Sequence, residues 1–288
     1  MTKDNYVEVA QEGLTSQAFL LKNSSLPMGG ANNQTERLAQ IGQDFLPSAQ
    51  TRFGKASSMA VKSVQSESMP CDGGGSMTIT ANDRNGNQLL DSGDALTFTA
   101  NQCRENGVLL SGSLVITVQR LQGNLDSYPY ALDATVSYQQ LTASSGQEQI
   151  VGNGDVTLSV DARNYNIQNL SLKTSQFSAA YRRGTQSFTQ TLQNYEASLK
   201  ETSSTDTTAV NGTVTSTGFG TQSVKVQTLT PFVRSSGAYP SSGQALFTGA
   251  NKATVRATAL DSTRVKIELD ADGDGVYELN TTKLWREL

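Results

Sequence analysis

From Cys71 to the C-terminus, apolar residues recur at every second position. Val156, Leu158 and Val160 alternate with Thr157, Ser159 and Asp161. Leu114, Ile116 and Val118 alternate with Val115, Thr117 and Gln119, and Val265, Ile267 and Leu269 with Lys266, Glu268 and Asp270. Successive side chains of a strand point to opposite faces, so this period builds a sheet with one buried face and one wet face. Similar runs cover about 76–81, 95–100, 131–141, 168–180, 186–200, 208–216, 222–230, 245–249 and 253–260. Gly, Asn and Asp punctuate them, as in Gly152-Asn-Gly-Asp155 and Asn211-Gly212, which predicts antiparallel strands joined mostly by hairpins.

The expected fold is therefore mainly β. A large antiparallel meander, curved into a half-barrel or divided into two packed sheets, accommodates so many successive strands. Residues 1–70 differ from the rest. Leu38, Ile41 and Phe45 follow Thr35 at helical spacing and Pro47 ends the run, which predicts one short N-terminal helix at about 35–46 between linker-like flanks. The domains are then an N-terminal segment, 1–70, and a β domain, 71–288. A sub-boundary near 201–207 competes with a long hairpin loop within one sheet.

Composition narrows the chemistry. Only 17% of the 288 residues are charged and the net charge is -4, so no basic face is expected to hold nucleic acid. No apolar run approaches a transmembrane length. The chain contains no histidine, which removes a Ser-His-Asp triad, His-ligated zinc and any histidine proton shuttle. Carboxylate-pair hydrolysis stays open in principle, but the densest carboxylates read as cation ligands.

There are two cysteines, Cys71 and Cys103, too few for a zinc cage and consistent with one disulfide. A loop of roughly 30 residues closed this way adds about 3–4 kcal/mol in the chain-entropy model. A disulfide implies an oxidising compartment. The start, Met-Thr-Lys-Asp-Asn-Tyr, has no apolar signal core. Either the protein is cytoplasmic or its signal has been removed. The cysteine spacing and the acidic loops favour the second, so the expectation is a periplasmic or cell-surface/secreted protein whose native signal peptide is absent from this chain.

Two acidic loops carry the strongest local signal. In the first, Asp83, Asn85, Asn87, Asp91 and Asp94 stand at positions 1, 3, 5, 9 and 12 of a calcium-binding loop, and Leu89 at position 7 would offer its carbonyl. Gln88 replaces the usual glycine at position 6, and an aspartate replaces glutamate at position 12. In the second, Asp270, Asp272 and Asp274 fill positions 1, 3 and 5, Gly275 position 6, Val276 position 7 and Glu278 position 9. Thr281 stands where a bidentate acid would complete the shell. One or two calcium ions are expected. Without them the first loop is a hairpin with Asn-Gly at its tip and the second a solvated Asp-Gly turn.

The first loop resembles the calcium loops of dockerins and of many bacterial envelope proteins. More widely, Cys71-Asp-Gly-Gly-Gly-Ser, Asn85-Gly-Asn87, Asp91-Ser-Gly-Asp94, Cys103 and the tail Leu269-Asp-Ala-Asp-Gly-Asp-Gly-Val-Tyr-Glu278 resemble uncharacterised proteobacterial secreted proteins and lipoproteins. The resemblance covers roughly 71–288 and implies the periplasm or cell surface. It implies no activity.

Three functions fit these residues. The first is a non-enzymatic envelope scaffold or binding module for an unknown protein, glycan or lipid partner, stabilised by calcium and a disulfide. The second is a carrier holding a lipid or other apolar ligand in a concave sheet. The third is a carbohydrate-binding or carbohydrate-active module, for which the single tryptophan, Trp285 at the extreme C-terminus, is poorly placed.

Overall fold

A computed structural model describes residues 1–16, 64–105, 107–220, 222–235 and 238–288. The helix expected at 35–46 lies outside them. The described helix is α1, Tyr6–Thr15. Its apolar residues Tyr6, Val9, Ala10 and Leu14 do follow helical spacing, but Gly13 and the short length weaken the signal.

The alternating runs form one antiparallel sheet of 14 strands in strict sequence order. They are β1 Val64–Pro70, β2 Ser76–Asn82, β3 Ala95–Glu105, β4 Val108–Asn124, β5 Ser127–Ser145, β6 Glu148–Asn164 and β7 Ile167–Arg183. Then come β8 Gln186–Glu201, β9 Asp206–Ser216, β10 Gln222–Arg234, β11 Ser242–Thr248, β12 Thr254–Ala259, β13 Arg264–Asp270 and β14 Leu279–Leu284. Among the described residues β1 and β14 each have a single neighbour, so the sheet they form is open. The strands form one continuous ladder and not two packed sheets. The segment near 201–207 is the β8–β9 turn, and β8 pairs directly with β9 across it.

The sequence alternation becomes an alternation of burial. Leu114, Ile116 and Val118 of β4 pair with Tyr138, Val136 and Ala134 of β5 in one apolar cluster that extends from β2 to the C-terminal turn. The central strands run 16–19 residues because most of them change phase midway. In β5 the buried side chains are Leu132, Ala134, Val136 and Tyr138, then Leu141 and Ala143. The extra residue sits at Gln139-Gln140, where the register with β6 slips. β3 does the same at Asn101-Gln102 and β8 at Gln193-Asn194, where the register with β4 and β9 slips. Gln102, Gln140 and Asn194 all take positive φ. Such bulges bend a strand and sharpen its twist, so a row of them across neighbouring strands curves the sheet.

Opposite the bulges stand glycines. A Cβ on Gly112 of β4 would lie 2.4 Å from the Gln140 carbonyl oxygen, and one on Gly154 of β6 would lie 2.6 Å from that of Gln176. β10 carries a wider irregularity where Pro231, which has no N–H to give, interrupts pairing with β9. There the Thr228 hydroxyl substitutes for the ladder, accepting from Val210 N at 2.8 Å and donating to Val210 O at 2.9 Å.

α1 packs on the buried face of β10–β13. Gly13 is what permits the approach, since a Cβ there would fall 2.3 Å from the Phe247 ring. Trp285 closes the other end of the chain. It is fully buried, stacks on Tyr239, meets Phe232 edge-on, and donates from Nε1 to Asp261 O at 3.1 Å.

Candidate metal centre

Both acidic loops are hairpin connections, the first between β2 and β3, the second between β13 and β14. In an antiparallel meander, connections after even- and odd-numbered strands lie at opposite ends. The two loops therefore occupy opposite ends of the sheet, each close to one of its free edges.

Their backbones follow one hydrogen-bonding scheme. Asp83 accepts from Gly86 N and Gln88 N, both at 2.7 Å. Asp270 accepts from Gly273 N at 2.7 Å and Gly275 N at 3.0 Å. Position 1 thus ties down the amides of positions 4 and 6 in each loop. Position 3 then takes the amide of position 5: Asn85 Oδ1 from Asn87 N at 3.0 Å, Asp272 Oδ1 from Asp274 N at 3.2 Å. Position 5 takes that of position 7: Asn87 Oδ1 from Leu89 N at 2.8 Å, Asp274 Oδ1 from Val276 N at 2.7 Å. Positions 4 and 6 carry positive φ in both loops, and Gln88 adopts it at 64° where the second loop has Gly275 at 90°. The missing glycine noted in the sequence therefore costs strain, on the order of 1–2 kcal/mol, without changing the turn.

Polar saturation separates the two loops. In the first, Asp91 accepts from the side-chain amides of Asn85, at 2.9 and 3.1 Å, and of Asn87, at 2.7 Å. Asp94, fully buried, accepts from Arg84 N and Asp91 N at 2.9 Å each. Burial raises the Asp94 carboxyl above the ordinary aspartate range, against the lowering effect of those two amides. Each carboxylate of this loop is met by at least two N–H groups.

In the second loop no side-chain amide of the described residues takes part. Carboxylate oxygens of Asp270, Asp272, Asp274 and Glu278 all come within 4.8 Å of one another. Asp270 is buried while the other three are exposed. Glu278 also accepts from Ala271 N at 2.9 Å, which brings position 9 back to the loop's start. Among the described residues no lysine or arginine forms an ion pair with these four. Two unit charges at this separation repel by about 1 kcal/mol in water and by several-fold more where protein excludes solvent. Hard oxygen donors from alternate positions fit calcium in kind, with the Val276 carbonyl available at position 7. Cys71 and Cys103 also lie near the Glu105 carboxylate, but they are bonded to each other, with Cα atoms 5.4 Å apart, and have no thiolate to offer.

Elsewhere, Thr202–Asp206 line an open polar depression of about 460 Å³ with Arg234 and Ser235. Arg234 is engaged by Asp206, and no aromatic ring is among these lining residues. The exposed aromatics Tyr128 and Tyr165 lie at the β4–β5 and β6–β7 turns. A cluster that the sequence did not single out lies under α1, where Glu12 meets Gln190 and Ser216. Its members come from three places 26 to 204 residues apart, with no shared motif to announce them.

No family model, curated protein or solved structure matches this chain.

Proposed function

We propose that this chain is a non-enzymatic β scaffold or binding module of the bacterial envelope, stabilised by the Cys71–Cys103 disulfide and by calcium. The observation that carries the reading is the second loop: four carboxylates converge on one point, one of them buried, with no cationic side chain among the described residues to neutralise them. The first loop shares the fold of the second but neutralises itself through Asn85 and Asn87, so it is the weaker of two sites. The disulfide and the resemblance in the sequence support the oxidising, extracytoplasmic location.

Two alternatives fit less well. A carrier needs an apolar concave face open to a ligand, whereas the inward-facing side chains from β2 to β13 are buried in one cluster. A carbohydrate-binding module needs aromatic platforms beside polar groups, whereas Trp285 is spent in the core and the polar depression at Thr202–Asp206 has no ring along it.

Calorimetric titration of the chelator-treated protein with calcium tests the reading. The expected result is binding at about 10⁻⁴–10⁻³ M, the range of extracellular modules. At roughly 100 times the dissociation constant, binding to the native state alone adds about 2.7 kcal/mol of stability. No heat of binding and no change in melting temperature up to tens of millimolar calcium would remove the metal from the proposal.

A further inference from the structure

The cluster beneath α1 is built around a carboxylate with no cation among the described residues to answer it. Glu12 Oε2 accepts from the Ser216 hydroxyl at 3.0 Å and from Gln190 Nε2 at 3.3 Å. Its other oxygen packs on Gly218, where a Cβ would approach to 2.7 Å. Gln190 is 2% exposed, and its Oε1 is buried with no hydrogen-bond partner. One turn further on, Ser16 donates to Gly13 O at 2.7 Å and so accepts from the buried Tyr195 hydroxyl, also at 2.7 Å. These two contacts and the apolar stripe of Val9, Ala10 and Leu14 are what fasten the helix.

Among the described residues, the elements packed on α1 bring no charge to Glu12. β10 presents Val224 and Val226, with Lys225 exposed between them. β11 presents Ala245 and Phe247, and the turn after β9 presents Gly218. On β12 and β13, Arg256 and Lys266 are held by Glu268. Arg264 is held by Asp261 and Arg234 by Asp206, while Asp270 belongs to the second acidic loop. On α1 itself, Glu8 is exposed one turn earlier.

We propose that α1 is a proton-gated clasp, docked most tightly when Glu12 is protonated and loosened when Glu12 ionises, while the sheet stays folded. A protonated Glu12 has an O–H to give. With its carboxyl neutral, Glu12 has no charge to desolvate and keeps Oε2 as an acceptor for the Ser216 hydroxyl and the Gln190 amide. An ionised Glu12 holds a partly desolvated charge against neutral groups, which is costly. Burial, the dominant influence, raises the Glu12 carboxyl above the ordinary glutamate range, and the Ser216 hydroxyl opposes it. Docked Glu12 therefore binds its proton more tightly than undocked Glu12. Docking is fully favoured below the ordinary glutamate range and weakens as pH rises toward the raised value, by at most about tenfold per pH unit within that window.

Hydrogen exchange of the full-length protein across acidic to neutral pH, expressed as protection factors, tests this. The α1 amides are expected to lose protection progressively as pH rises, while those of β4–β6 hold theirs. Glu12→Gln, which supplies a neutral donor of the same shape, is expected to give high, pH-independent protection of α1. Ser216→Ala removes the bond that favours the ionised form and is expected to move the loss to higher pH. Protection of α1 that is flat with pH in the wild type, or that falls equally in Glu12→Gln, overturns the proposal. If α1 and β4–β6 lose protection together, the transition is global and the clasp is refuted.

Discussion

Gly112 of β4 lies directly under the Gln140 carbonyl of β5, so close that a Cβ would come within 2.4 Å of the oxygen. Gly112 also holds φ at 103°, outside the range other residues adopt easily. The contact joins a bulge in one strand to the backbone of the next, and the same pairing recurs between Gly154 and Gln176.

Gly112→Ala is therefore expected to cost about 2–4 kcal/mol, combining backbone strain with a clash that only backbone movement relieves. Gly86→Ala makes the control. Gly86 also has positive φ, at 74°, but nothing lies within 4 Å of its would-be Cβ. It should cost only about 1–2 kcal/mol. Urea unfolding of both variants measures the difference. Equal losses would show that the row of bulges tolerates a side chain and does not depend on close approach.

The same contact explains which part of the fold was legible in the sequence. Strict alternation in runs such as Val156-Leu158-Val160 announces a strand and its buried face, and the hairpins follow from Gly, Asn and Asp between the runs. Sequence order then became spatial order throughout. The phase changes at Gln102, Gln140 and Asn194 were not legible. A bulge adds one residue to a strand, and at Gln102 and Gln140 nothing in the residue type marks it, since glutamine has no special preference for positive φ; Asn194 is of a type enriched there, but asparagine also punctuates ordinary turns. The disulfide was readable because the chain has two cysteines and one possible pairing, and the acidic loops because short-range spacing alone defines them. Glu12 was not, because its partners Gln190 and Ser216 reach it only after nine strands have been laid side by side.

The C-terminal turn is expected to be part of the core. Trp285 fills the space between Phe232 and Tyr239 and donates to Asp261 O. Trp285→Ala should lower stability by about 3–5 kcal/mol. Trp285→Phe should lose less, since it keeps a ring and leaves only the Asp261 carbonyl without its donor. As the sole tryptophan, Trp285 also supplies the measurement. Its emission should be blue-shifted in the native protein and should move red in the same transition that far-ultraviolet circular dichroism reports. A red native emission would place the indole in water and contradict its burial.

Cys71 and Cys103 are separated by 32 positions and join the turn before β2 to the second half of β3. The link spans the whole first acidic loop. Replacing both cysteines by serine is expected to lower stability by about 3–4 kcal/mol, the entropy of closing a loop of that length. The first acidic loop should lose order with it, seen as faster amide exchange at Gly86 and Gln88, whose N–H groups Asp83 holds. Unchanged exchange there would mean that β2–β3 pairing alone maintains the loop.

The two acidic loops should respond to charge removal with opposite signs, depending on calcium. In the second loop, Asp272→Asn removes one of four converging carboxylates while keeping an oxygen to accept from Asp274 N. Without calcium, the variant should be as stable as the wild type or more so, by up to about 1 kcal/mol, because repulsion falls. With calcium near 100 times the wild-type dissociation constant it should be less stable, because much of the roughly 2.7 kcal/mol of linkage is lost. In the first loop, Asp91→Asn removes the charge and turns one of the two oxygens that the Asn85 and Asn87 amides share into an NH2 group that faces them. It should destabilise the calcium-free protein, by about 1–3 kcal/mol, since those amides lose a charged partner. Thermal melts of the three proteins with chelator and with calcium separate these outcomes. A crossing of the wild-type and Asp272→Asn stabilities marks the second loop as the metal centre. If Asp272→Asn is destabilising by the same amount in both conditions, the carboxylate serves only its hydrogen bond to Asp274 and the second loop binds no ion.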